Sequence, residues 1–317
     1  MSVFAHRILV AAAAVAALAA ASALAQSTGR TAIIVTATSP SDTLPFYYAV
    51  KYGLFEKAGL DVTVQPSTSG SASILAVVGG AAQFGYANNL SLGQAHLKGI
   101  PVTMVAPGGE YSSAAPYAKV LVLPDSGIAN AKDLSGRTVA VTGLHDLLSL
   151  SARAWLDKNG GDPASVKFVE VPPATMLAAL QQKRVDAIAI FEPYVSAAEA
   201  AGAKEIGAPY DAVSTHFMTA CWFANGDWIK DHRDVALRFA RVINQAQAYT
   251  NPHYTELVPF IAEFSKLPVE TLRKMPIVHV PNSMSAALVQ PLIDTAAKYK
   301  ELPQDFPARD MILAGVP

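Results

Sequence analysis

From Thr31 to Phe191, short runs of β-branched and apolar residues alternate with longer amphipathic stretches, and no other feature narrows the fold so far. Ile33-Ile34-Val35, Asp61 to Gln65, Phe84 to Tyr86 and Val102 to Ala106 read as strands. Pro45 to Tyr52, Ser71 to Val78 and Asn89 to Leu97 read as the helices between them, stopped at Gly53, Gly79-Gly80 and Gly99. After a loop over 124–136 the rhythm restarts. Thr138 to Val141, Val166 to Val171 and Ala187 to Phe191 are predicted strands, and Asp146 to Lys158 and Thr175 to Gln182 predicted helices. Apolar runs that do not alternate need cover on both sheet faces, which is the condition of parallel strands layered between helices. Beyond Trp228 the pattern is helical, at about 229–249, 254–264, 269–274 and 283–299.

Two α/β units followed by helices can be beads on a string or lobes that trade the chain. No flexible linker separates them; the junctions are Ala118 to Leu123 and Phe217 to Phe223, both apolar and β-like. The expected division is therefore residues 27–119 as the first part of lobe one, 120–222 as lobe two and 223–317 as the helical return to lobe one. The chain would cross near Lys119 and again near Trp222, with a cleft between the lobes.

Composition removes several function classes. With 24 Lys+Arg against 25 Asp+Glu and no basic block, nucleic acid has no cationic surface to bind. The amino end carries His6 and Arg7, an apolar run from Ile8 to Ala21, and Ala23-Leu24-Ala25 before Gln26, the pattern of a signal peptide cleaved near Ala25. An uncleaved anchor is the alternative, but the apolar run is short for a span. Losing residues 1–25 removes Arg7 and no acid, which leaves 23 basic and 25 acidic residues. A periplasmic, soluble mature chain is expected. Cys221 is the single cysteine, so there is no internal disulfide and no cysteine-based lipid anchor; a buried thiol is preferred to a nucleophile. The seven histidines show no i, i+4 pair for a metal, and G-x-S-x-G, H-E-x-x-H, C-x-x-C, P-loop and G-x-G-x-x-G motifs are missing. No metal, cofactor or catalytic residue is assigned.

Several segments together resemble a known family. Leu44-Pro45-Phe46-Tyr47-Tyr48-Ala49 with Tyr52 to Val62, Thr68-Ser69-Gly70-Ser71, Gly80 to Gly85, Lys132 to Val141, and Leu180 with Val185-Asp186-Ala187 occur in the order seen in solute-binding proteins of the nitrate, taurine, sulfonate and thiamine-precursor group. Each motif alone is weak; the ordered set covers about 31–228. The resemblance implies an α/β periplasmic-binding-protein fold of type II, a two-lobed venus flytrap with two β crossovers and a C-terminal helical tail packed on lobe one. It also implies delivery of a small-molecule solute to an ABC permease in the membrane. A monomer is expected, because the lobes must move. Some members of the wider group are enzymes, such as cysteine-rich pyrimidine synthases, whose cysteine segment this chain lacks; an exported enzyme on the same fold is the alternative.

In open α/β sheets ligands sit beyond the carboxyl ends of strands, which selects the candidate ligand-binding residues. Phe46 and Tyr47 can line the cleft or fill the core. Thr68, Ser69, Gly70 and Ser71 offer hydroxyls and free N–H groups at a helix start, where a simple cap would need only one. Asn88 and Asn89 follow a strand and bring donors and acceptors, although Asn89 can equally be a cap. In lobe two, Leu144, His145 and Asp146 join a strand to a helix, and Glu192 and Tyr194 close the next strand. None of these loops contains Lys or Arg, and Asp146 and Glu192 would repel an anion. A zwitterion, an amine-bearing heteroaromatic or a neutral aromatic is expected in preference to nitrate or sulfate.

Overall fold

The computed structural model describes residues 29–37, 43–67, 69–265, 268–278 and 280–317. The expected signal segment 1–25 and Thr68 lie outside the described residues. The chain begins with β1 (Thr31–Ala37), α1 (Leu44–Lys51), α2 (Leu54–Lys57), β2 (Leu60–Pro66), α3 (Gly70–Val78), β3 (Phe84–Asn88), α4 (Asn89–Leu97) and β4 (Val102–Pro107). It continues through β5 (Glu110–Ser112), β6 (Ala118–Val122), β7 (Thr138–Val141), α5 (Leu147–Lys158), β8 (Lys167–Glu170), α6 (Pro173–Gln181), β9 (Ala187–Phe191), α7 (Tyr194–Ala200) and β10 (Lys204–Gly207). β11 (His216–Met218) and β12 (Ala220–Asn225) then lead to α8 (Gly226–Thr250), α9 (Tyr254–Ser265), α10 (Val269–Lys274) and α11 (Ala286–Lys298).

Two five-stranded sheets share one plan. The first runs β2-β1-β3-β12-β4 and the second β8-β7-β9-β6-β10. In each, the first three strands are parallel, the fourth is antiparallel to both neighbours and the fifth forms the edge. The fourth strand is the one received from the other lobe: β12 arrives after lobe two is complete, and β6 comes directly from lobe one. β5 and β11 form a separate antiparallel ribbon, with Ser112 opposite His216 and Glu110 opposite Met218. The two sheets are joined through this ribbon, just ahead of Ala118 and of Ala220, close to Lys119 and Trp222. The expected connectors are instead full sheet members: Val120, Leu121, Val122, Cys221, Trp222 and Phe223 are all buried, which is why they read as continuous apolar runs.

Sheet one is covered on one side by α1, α2 and α8. Phe239 of α8 stacks on Phe84 at 4.1 Å between ring centroids and meets Phe55 at 5.4 Å and Trp222 at 5.6 Å. Burying side chains of this size contributes about 2–3 kcal/mol each, so this aromatic stack anchors the return segment to lobe one. On the other side α3, α4 and α11 join an apolar cluster that continues through Tyr111 and Phe217 of the ribbon into lobe two, reaching Trp155 of α5. The tail packs on lobe one through α8 and α11, but it also touches lobe two: α10 meets α7, and the residues closing α11 bond to α5.

Candidate ligand site at the interlobe hinge

A continuous chain of hydrogen bonds runs from the end of β9 in lobe two to the start of α4 in lobe one. The Glu192 N–H donates to the Tyr117 carbonyl at 2.9 Å. The Tyr117 hydroxyl donates to Thr219 Oγ1 at 3.1 Å, and Thr219 Oγ1 donates to the Gly109 carbonyl at 2.9 Å. Asn89 then grips the same strand exit, its backbone N–H donating to the Thr219 carbonyl at 2.9 Å and its Nδ2 to the Met218 carbonyl at 2.8 Å. Asn89 Oδ1 is buried and has no hydrogen-bond partner among the described residues. Tyr117 and Thr219 follow the two ribbon strands, so these bonds mark the floor on which the lobes meet.

The lobe-one loops converge on that floor. A Cβ added to Gly70 would lie 3.2 Å from Ala87 Cβ and 3.6 Å from the Asn88 nitrogen, so the start of α3 packs directly on the end of β3. Ser69 caps α3 by accepting from the Ala72 N–H at 3.1 Å, and Asn88 caps α4 by accepting from Ser91 at 2.8 Å. Ser71 is exposed, and the Ser67 hydroxyl donates to the Ser69 carbonyl at 2.9 Å. The hydroxyl of Ser69 and the amide oxygen of Asn88 are therefore spent on caps at the starts of α3 and α4.

In lobe two, Glu192 is only 5% exposed and accepts from the Ser196 N–H at 3.0 Å and the Ser196 hydroxyl at 2.7 Å. Burial raises its carboxyl above the ordinary range, outweighing those bonds. Tyr254 of α9 sits close enough that the Glu192 charge adds to the effect of burial in raising its phenol. Tyr194 opens α7, half-buried, with its ring 6.5 Å from Phe191. Asp146 caps α5 in a capping box with Ser149, accepting from the Ser149 N–H at 2.8 Å and from the Thr142 hydroxyl, and burial raises its carboxyl too. Lys119, beside Glu192, is held at 2.8 Å by Glu199 and at 2.8 Å by Glu205.

Three candidates, Phe46, Leu144 and His145, lie elsewhere. Phe46 has no exposed surface; it packs 5.7 Å from Phe55 and 4.7 Å from Trp222 and belongs to the core, because helical geometry turns that face of α1 inward. Tyr47 is half-buried beside it at 5.3 Å and packs against the apolar cluster that holds Tyr254. His145 faces the tail, its Nδ1 lying 3.0 Å from Glu301, while the exposed Leu144 gives its carbonyl to Arg153 of α5. Tyr117, Thr219 and Tyr254 stand beside Glu192 or Asn89 and are not among the residues expected from the sequence. A signal for the first two existed in Pro107-Gly108-Gly109, a turn after a strand that marks the ribbon, whereas nothing local marks Tyr254. Two cavities of about 720 Å³ and 580 Å³ open elsewhere, and none of the residues on this floor lines either.

Paired sheets of one plan joined by a two-strand ribbon, with strand ends converging on it, define a two-lobed periplasmic-binding-protein fold. The Escherichia coli periplasmic aliphatic sulphonate binding protein SsuA superposes with a TM-score of 0.75 at 20% identity, over 90% of this chain and 98% of that one. The family model described as NMT1/THI5 like matches residues 41–256, more than half of the chain, and the chain belongs to that family. A Brucella abortus chain bearing the name "Putative binding protein" is 24% identical over 234 residues, 69% of this chain and 66% of that one, just under two thirds of its length. The desulfurization enzyme DSZB shares the fold with a TM-score of 0.70 at 12% identity, over 90% of this chain and 97% of that one.

Proposed function

We propose that this chain is the extracytoplasmic solute-binding component of an ABC importer, exported by its amino-terminal signal and acting as a monomer. It closes its lobes over a small zwitterionic, amine-bearing heteroaromatic or aromatic compound and passes it to a membrane permease. The observation that carries the reading is the hydrogen-bonded floor from Glu192 through Tyr117 and Thr219 to Asn89, which joins the strand ends of both lobes. A binder needs ligand contacts to both lobes that favour the closed state, and this is where such contacts converge. The residues proposed to meet solute are Ser69, Gly70, Ser71, Asn88, Asn89, Asp146, Glu192 and Tyr194, with Tyr117, Thr219 and Tyr254 added. The binding that the relatives' names print supports the binding part of this reading.

The chemistry favours a cationic or neutral partner. Glu192 is destabilised as an anion by burial, and an ammonium group brought against it would relieve that cost. Lys119 cannot offer its charge to an anion without leaving two carboxylates. An affinity near micromolar corresponds to about −8 kcal/mol, within reach of a few satisfied hydrogen bonds and one or two ring contacts. A thermal-shift screen of the mature protein with taurine, amino-pyrimidines, aromatic acids, nitrate and sulfate tests this, with mass spectrometry of the recovered compound. Melting should rise with an amine-bearing or aromatic compound, recovered unchanged. Tight nitrate or sulfate binding without response to the others contradicts the proposed chemistry. Turnover of the compound would favour the second reading, an enzyme, which the shared fold of DSZB keeps in view.

A further inference from the structure

Where α11 ends, the chain bonds to lobe two. Helix α11 stops at Tyr299, and Lys300 adopts φ +60°, a left-handed conformation that normally favours glycine. That reversal carries Glu301 back across to α5, where its side chain is only 6% exposed. Glu301 Oε1 accepts from Arg153 Nη1, and Oε2 lies 3.0 Å from His145 Nδ1. The other arm of the same guanidinium, Nη2, donates to the Leu144 carbonyl at 2.9 Å, and the guanidinium lies 5.4 Å from the centre of the Phe168 ring. One turn further along α5, Asp157 accepts from Lys298 at 3.3 Å and from the Tyr299 hydroxyl. Those bonds hold its carboxyl below the usual range.

Arg153 thus touches two things at once: the tail, which rides on lobe one, and the loop between β7 and α5. We infer that Arg153 and Glu301 are positioning residues which fix the 143–146 loop and set the separation of the lobes from the hinge side. Only a forked cation does both. A guanidinium has two parallel donor arms, one for the carboxylate and one for the carbonyl, whereas an ammonium is a point charge on a flexible stem. Glu301 is buried enough that its charge needs Arg153, and the pair is exposed to little screening. His145, in this arrangement, belongs to the latch and not to the solute. The consequence for solute capture rests on the interlobe reading proposed above; the positioning itself does not.

Two measurements on the full mature chain, with no ligand required, test it. Hydrogen exchange reads the Asp146 and Ser149 amides, whose bonds within the capping box depend on an ordered loop. Small-angle X-ray scattering reads lobe separation. Glu301→Gln and Arg153→Met should speed exchange at those two amides roughly ten- to hundredfold, the scale of a lost charge-assisted hydrogen bond, and should enlarge the radius of gyration. Arg153→Lys should keep the radius of gyration, since the charge still meets Glu301, yet lose the loop protection. Asp125→Asn, which breaks an exposed pair with Lys183, should change neither. The inference is overturned by unchanged exchange in the Gln and Met variants, by an equal rise in β1 amides, or by full loop protection in Arg153→Lys. Solute affinity unaffected in variants that do loosen the loop would instead count against the interlobe site alone.

Discussion

A methyl group placed on Gly108, where the chain leaves sheet one for the ribbon, has nowhere to go. The Cβ of a Gly108→Ala variant would lie 2.6 Å from the Ala220 carbonyl oxygen, 2.6 Å from Tyr86 Cε2 and 2.8 Å from the Tyr86 hydroxyl, whereas real Cβ contacts are essentially never under 3.0 Å. Something must move by about 0.4 Å, and neither neighbour is loose. Ala220 belongs to β12, which is paired on both sides, and its predecessor Thr219 donates to the Gly109 carbonyl at 2.8 Å. The Tyr86 ring packs 4.9 Å from Trp222, and its hydroxyl accepts from the Gly109 N–H at 2.9 Å. Overpacking a tight site costs about 2 kcal/mol, and losing the Tyr86 bond adds about 1 kcal/mol. At about 2 °C per kcal/mol for a chain of this size, Tm should fall by about 6 °C. Urea unfolding should show a lower midpoint with an unchanged slope, because the surface exposed on unfolding is the same. A Tm within about 1 °C of the parent, on the same scale, would refute the claim that the ribbon is rigidly seated.

Lys300→Gly should raise stability by about 0.5–1 kcal/mol, seen as a Tm higher by about 1–2 °C, since a side chain at φ +60° is strained and glycine is not. Asp146→Ala should lower stability by about 1 kcal/mol through loss of the α5 cap, with Asp146→Asn recovering most of it; urea titration distinguishes them. Glu192 gives a pH signature. Its folded-state pKa is raised, so its contribution to stability is complete below the unfolded carboxylate pKa and is lost as pH rises through the folded value. Glu192→Gln should therefore gain Tm over the parent at pH 8, with the gain vanishing on acidification below the ordinary carboxylate range; a gain independent of pH would disprove the assignment. In the parent, affinity for an amine-bearing solute should increase as pH rises through the same transition, which calorimetry at several pH values would reveal.

Periodicity alone made the α/β rhythm legible, because strands such as Ala187–Phe191 and helices such as Asn89–Leu97 are specified by which neighbours along the chain are apolar. Caps are equally local, since Asp146, Ser69 and Asn88 each accept from the residue three positions on, although the α4 cap falls on Asn88, one residue before the expected Asn89. What stayed hidden was long-range. The sequence marks the exchange only as two apolar junctions; that β5 and β11, three residues each, pair with one another into a ribbon is decided by the tertiary structure. Phe46 and Tyr47 are adjacent aromatics in one helix, and which of them turns fully into the core depends on Phe55 and Trp222, the second of which lies far along the chain. Glu301 meeting Arg153 across 148 positions, and Tyr254 standing beside Glu192, depend on how the tail settles over both lobes. Local order is written in neighbouring residues, whereas a site made between two lobes exists only once distant segments have paid the entropy of meeting.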